Sequence, residues 1–138
     1  MSQENVEVVR ALWKARNRGD REAALARFAP GCEFDYSSSK GLSPVIVRGL
    51  EDFARRLDEG AEVWDEPRWG ADEFVDADDA VIVPGRFHGR GHGSGVETVA
   101  RAVEVFWLVD GKVVRLRLCQ DRAQTLEAAG LPPSKQAH

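Results

Sequence analysis

Apolar residues recur at helical spacing from the start of the chain, at Val6, Val9 and Trp13, with Val8 and Leu12 beside them. The spacing predicts an amphipathic helix over residues 3–17, capped by Ser2 and favoured by Glu4 and Glu7 at its positive end. Gly19 stops that helix. Asp20 then caps a short second helix with Ala24, Leu25 and Phe28 on its apolar face. After Pro30 and Gly31 the period changes to two, so Cys32, Phe34 and Tyr36 share one face of a strand and Asp35 takes the other. Residues 37–44 read as a loop. Leu50, Phe53, Ala54, Leu57, Ala61 and Trp64 return to helical spacing, and Pro67 ends that third helix. Strands follow near residues 69–75, 80–88, 96–109 and 112–120, with turn signals at Asp76 to Asp79, Gly89 to Gly95 and Asp110-Gly111. The Asp-Gly pair is a strong hairpin signal, and the four strands are expected to form an antiparallel meander. A short helix over residues 122–129 closes the domain, ended by Gly130 and Pro132.

Between Val96 and Val109 both strand faces are apolar, with Ala102, Phe106 and Leu108 on one and Val103, Val105 and Trp107 on the other. One face packs on the helices, and the second needs cover of its own. A homodimer through the sheet, with Trp107 on its face, is the expectation; the alternative is that tall neighbouring side chains shield that face within one chain.

At 138 residues the chain fits one domain, placed at 1–131 with a disordered tail at 132–138. Nineteen basic against 23 acidic residues give a net charge of -4, and the basic ones are scattered, which speaks against a nucleic-acid partner. No apolar run is long enough to span a membrane and the polar start is no signal peptide, so a cytoplasmic protein is expected. Cys32 and Cys119 each sit in an apolar alternating run and read as buried thiols. Gly89 to Gly95 is no phosphate loop, because a strand rather than a helix follows it. His88 and His92 lack a third ligand, so neither a metal nor any other cofactor is expected.

A helix ending in Asn17-Arg18-Gly19-Asp20, a second ending in Ala26-Arg27-Phe28-Ala29-Pro30, a third helix and a long sheet together resemble the nuclear transport factor 2-like superfamily. The segments Gly91 to Glu97, Phe106 to Val114 and Leu118 to Ala123 resemble its SnoaL-like, polyketide cyclase-like branch. The resemblance runs over nearly the whole chain and implies an α+β, cystatin-like cone. In that fold three N-terminal helices pack on a curved, mostly antiparallel sheet with a short C-terminal helix. It implies a pocket for a small hydrophobic molecule. The superfold hosts isomerases, cyclases and hydrolases as well as binding proteins, so activity has to be argued from the pocket.

Glu104 is the lone charge between Ala102 and Val109 and shares a face with Phe106 and Leu108. Two readings stand: an acid or base in an apolar pocket, or a cross-strand ion pair with Arg115 or Arg117. Asp121 resembles the acid or base of SnoaL-like cyclases, but fits better a helix-capping box with Gln124. Tyr36 falls where the related steroid isomerases place their catalytic Asp, and Leu12 falls on their oxyanion tyrosine, so isomerase chemistry of the usual kind lacks two groups. The Tyr36 phenol can still donate to a ligand oxygen, or be a core tyrosine. Arg117 is a candidate cavity cation for a carboxylate or enolate, or the partner of Glu104. Trp13, Phe34, Phe53, Trp64 and Phe106 are candidates to line the pocket. The expected function is therefore small-molecule binding, with cofactor-free proton transfer beside a carbonyl as the enzymatic form. A non-catalytic ligand-binding or dimerisation module is the alternative.

Overall fold

The structure, a computed structural model, describes residues 2–37, 46–120 and 125. Helix α1 (Ser2–Asn17) buries Val6, Val9, Leu12, Trp13 and Ala15, the face its spacing predicts. Its end follows from Gly19, whose φ of 78° is open to glycine; the Asp20 amide reaches the Ala15 carbonyl at 2.9 Å and the Gly19 amide reaches that of Arg16 at 3.2 Å. The Asp20 carboxylate then accepts from the Ala23 amide at 3.1 Å and caps α2 (Arg21–Leu25). Phe28 is not on that helix. It opens strand β1 (Phe28–Asp35), since Pro30 cannot extend a helix and withdraws a donor where the strand register shifts.

A three-residue strand β2 (Ile46–Arg48), not foreseen from the sequence, pairs antiparallel with β1 through Glu33 to Asp35. Helix α3 (Leu50–Val63) stops one residue short of Trp64, which starts β3 (Trp64–Ala71). The third helix is thus shorter, and this strand longer, than the periodicity predicts, because Trp64 packs edge-on against Phe87 and lies over Gly89. A Cβ at Gly89 would stand 2.8 Å from the Trp64 ring, so a side chain there would displace it. Pro67 sits in a bulge between Asp65 and Arg68. Strands β4 (Val75–Ala77), β5 (Ala80–Gly91), β6 (Glu97–Val109) and β7 (Lys112–Cys119) follow. Both residues of the Asp110-Gly111 turn have positive φ, as the tight hairpin between β6 and β7 requires.

The sheet runs β2-β1-β7-β6-β5-β3, with β4 paired to β5. Among the described residues only the β1–β7 pairing is parallel, so the fold is α+β around a mixed sheet rather than a plain meander. The inner face, covered by the helices, carries Phe34, Val81, Val83, Phe106, Leu108, Leu116 and Leu118. Phe34 stacks on Phe53 of α3 with ring centroids 3.5 Å apart. The outer face carries a second apolar cluster of Ala80, Ile82, Val103, Val105 and Cys119 against Trp107. These five are already buried within the single chain, while Val99 and Val109 of β6 are exposed. Of the C-terminal helix and tail expected from the sequence, all but Thr125 lie outside the described residues.

Candidate functional site

Strand alternation decides which candidates meet. Ala102, Glu104 and Phe106 of β6 stand opposite Gly85, Val83 and Val81 of β5, all on the inner face. Tyr36, next after β1, joins the same inner cluster through its alternation with Cys32 and Phe34. Arg115 and Arg117 of β7 stand opposite Trp107 and Val105, on the outer face. Neither can pair with Glu104. The expectation that Arg117 enters the pocket, or bridges to Glu104, is therefore overturned by the pleat: one residue of register separates the two faces.

The partner of Glu104 comes from a helix. Arg16 of α1 donates through Nη2 to Oε1 at 2.8 Å and through Nη1 to Oε2 at 3.0 Å, a two-pronged pair. Glu104 is 2% exposed. The Arg16 guanidinium lies in the corner of two indoles that meet edge to face, 4.6 Å from the Trp13 ring centre and 4.3 Å from that of Trp69 on β3. Contact with both rings restricts the fork while its two prongs meet the carboxylate. Beyond it, Arg56 of α3 lies over the Tyr36 ring at 4.9 Å. Burial pushes the Tyr36 phenol well above the usual tyrosine range, the Glu104 charge adds to this, and the Arg16 and Arg56 charges oppose it. Tyr36 is thus a protonated donor at any ordinary pH. Two further donors are buried in the stack: Trp13 Nε1 and Arg16 Nε have no hydrogen-bond partner among the described residues.

The other candidates divide. Trp13 walls this site, whereas Phe34, Phe53 and Phe106 belong to the packed core. Trp64 is half-buried against Phe87. Asp121 lies outside the described residues. On the outer face Asp35, 5% exposed, accepts from Arg115 at 3.2 Å and from Ser37, with Arg117 at 4.0 Å. Burial opposes ionisation of Asp35, but the Ser37 hydroxyl and amide and then Arg115 and Arg117 outweigh it and hold its carboxyl below the ordinary range. Burial also pushes the Cys32 thiol up to about 11.

Sequence reasoning missed Arg16, Arg56 and Trp69. A signal for the arginines was present: Arg16 continues the Val9 and Trp13 repeat, and Arg56 falls three residues after Phe53, so both are cations set on apolar helix faces. Trp69 was read only as a strand residue. Its place is fixed by Asn17, whose side chain donates to the Trp69 carbonyl at 2.8 Å and accepts from its amide at 2.9 Å, so that it occupies the outer edge of β3.

Among the described residues, clefts of about 300 and 420 Å³ open at the surface; both are lined by Arg68 and His88 and neither by Glu104 or Tyr36. At the Gly91 end of β5 and the Glu97 end of β6, Phe87, Thr98 and Ala100 are partly exposed, as is Leu57 of α3. Among the described residues no helix is long and apolar enough to cross a membrane.

Residues 9–116 match the SnoaL-like domain family. Among solved structures the chain is similar to a nuclear transport factor 2-like protein from Burkholderia thailandensis, with 25% identity over 93% of this chain and 98% of that one and a TM-score of 0.76. It is similar to TerC, crystallised with polyporic acid, at 21% identity over 92% and 98% of the two chains and a TM-score of 0.76. It is similar also to a candidate SnoaL-like polyketide cyclase from Jannaschia sp. CCS1, at 22% identity over 95% and 94% and a TM-score of 0.71. At these identities the likenesses establish the fold. No curated protein matches the sequence.

Proposed function

The chain belongs to the SnoaL-like domain family, and from that membership we propose that it binds a small, largely apolar molecule against the inner face of its sheet. Tyr36, Arg16 and Glu104 form the polar end of the site, and the molecule enters past Phe87 and Ala100. One observation carries this reading: a two-pronged ion pair and a tyrosine are buried together in an otherwise apolar interior, with two N–H groups beside them unsatisfied. A core that only had to pack would be served by apolar residues there, since buried pairs seldom return their desolvation cost. The solved neighbours point the same way, one having been crystallised with polyporic acid and another being a candidate polyketide cyclase.

Binding comes before catalysis in this reading. Proton transfer by Glu104 would neutralise the carboxylate that both Arg16 prongs hold, leaving a guanidinium at the site without its counter-charge. The test is a thermal-shift and calorimetry screen of planar carbonyl compounds and polyporic acid against the wild type, Tyr36→Phe and Ala100→Trp. Saturable binding that Ala100→Trp abolishes and Tyr36→Phe weakens about tenfold is expected, one donated hydrogen bond to a ligand being of that size. Binding unchanged in both variants would move the site elsewhere.

A further inference from the structure

The polar atoms of the inner site do not treat all ligands alike. Arg16 spends Nη1 and Nη2 on Glu104, while its Nε and the Trp13 indole nitrogen, each buried, are without partners among the described residues. Trp13 and Arg16 stand three residues apart on one face of α1 and stack at 4.6 Å, so both N–H groups belong to a single layer. Each is a donor that cannot accept. Buried unsatisfied N–H groups are few in folded proteins, and two in one layer are a reason to look for an acceptor that completes them. The same layer also decides against cations. The Trp13 and Trp69 rings meet edge to face, and the corner they form, where an ammonium would gain most, is taken by the chain's own guanidinium. Arg56 over Tyr36 adds positive charge beside it.

We propose that the ligand presents an acceptor oxygen, as a carbonyl, enolate or carboxylate on a flat apolar body, to Trp13 Nε1–H and Arg16 Nε–H, and that the site rejects the same body ending in an ammonium. This rests on the reading of the inner face as a ligand site. Binding of this kind keeps the Arg16–Glu104 pair intact, because the acceptor uses the one guanidinium nitrogen that the pair does not.

The test titrates acetylnaphthalene, a naphthalene carboxylate and naphthylmethylammonium into the isotope-labelled full chain. It follows the four indole N–H signals and the Arg16 Nε signal, the Trp13 peak being assigned with Trp13→Phe. Saturable binding of the ketone and carboxylate is expected, with both the Trp13 and Arg16 Nε protons moving downfield and the ammonium at least about tenfold weaker, the size of one charge-assisted contact. Equal binding of all three, with shifts in the inner-face signals, would overturn the acceptor preference and leave the inner ligand site standing. Binding with no movement at Trp13, Arg16 or Tyr36 would overturn the inner site itself, and the preference with it. Binding of the ketone reduced about tenfold in Trp13→Phe, with plain naphthalene unaffected, would support the donor assignment independently.

Discussion

The Arg16–Glu104 pair makes the sharpest stability prediction, because its two partners differ in burial. Arg16→Met strands a carboxylate that is 2% exposed, a loss of about 3–5 kcal/mol for a buried charge deprived of its partner. Glu104→Gln leaves the guanidinium against two indoles and 19% exposed, with the amide oxygen still able to accept one prong. About 2 kcal/mol is expected there. Against a total of about 10 kcal/mol for a domain of this size, the first change lowers the melting temperature by about 10 °C or more. Urea unfolding of the wild type, both single variants and Arg16→Met with Glu104→Gln closes a double-mutant cycle, read at unchanged m. A coupling of about 2 kcal/mol is expected, with Arg16→Met the more damaging single change. Losses that add to within about 0.5 kcal/mol, or the reverse order, would refute the pairing argument. Replacing both partners with apolar residues, Arg16→Met with Glu104→Leu, should return stability to within about 1 kcal/mol of the wild type. Ligand binding should stay lost in that protein, which separates what the pair does for the fold from what it does for the site.

Other outcomes follow from the same geometry. Tyr36 is the only tyrosine, so phenolate absorbance reports it alone. With its native value raised, it favours the folded state below the unfolded value of about 10 and loses that contribution as pH climbs toward the native value, so absorbance should rise only together with alkaline unfolding; ionisation in the folded protein would contradict the burial. Asp35, held low, contributes stability above the unfolded value of about 3.9 that disappears as pH falls through its native value. Asp35→Asn should therefore cost about 2 kcal/mol at neutral pH and flatten the acid limb of the stability curve, and an acid limb as steep as the wild type's would argue against it. We propose that two copies meet on the outer face around Trp107, Val99 and Val109; light scattering should give a dimer that Trp107→Lys converts to a folded monomer, and a wild-type monomer at micromolar concentration would remove the proposal.

What could be read in advance follows the range over which each signal acts. Helix α1, the cap at Asp20 and the Asp110-Gly111 turn depend on residues within one or two turns of each other, and local spacing suffices for them. Strand faces were legible too, since alternation alone puts Tyr36 with Phe34 and Glu104 with Phe106. The boundaries at Phe28 and Trp64 were not. Both side chains fit a helix-spaced pattern, and contacts distant in sequence, with Phe53 for one and Phe87 for the other, draw them into strands. The parallel pairing of β1 with β7 joins residues about eighty positions apart, with Glu33 beside Arg115 and Asp35 beside Arg117, which no local pattern encodes. The partner of Glu104 was misread for a related reason. Cross-strand neighbours were considered when the nearest cation on that face belongs to a helix.

That placement ties helix docking to recognition. On the inner face Glu104 has Val83 opposite it on β5 and Leu118 opposite it on β7, so the sheet offers it no counter-charge. A cation must come from above, and Arg16 supplies it from the turn of α1 that carries Trp13 and abuts Trp69. The pair fits the rotation of α1 that buries Val9, Leu12 and Trp13, and the same rotation buries the Trp13 indole N–H and Arg16 Nε. On the outer face the opposite arrangement holds: Arg115 and Arg117 find Glu33 and Asp35 on the strand beside them, and no helix is needed. Charge on one side of the sheet is settled between neighbouring strands and contributes to β1–β7 register. Charge on the other reaches across to a helix, and so sets donors where a bound molecule would meet them.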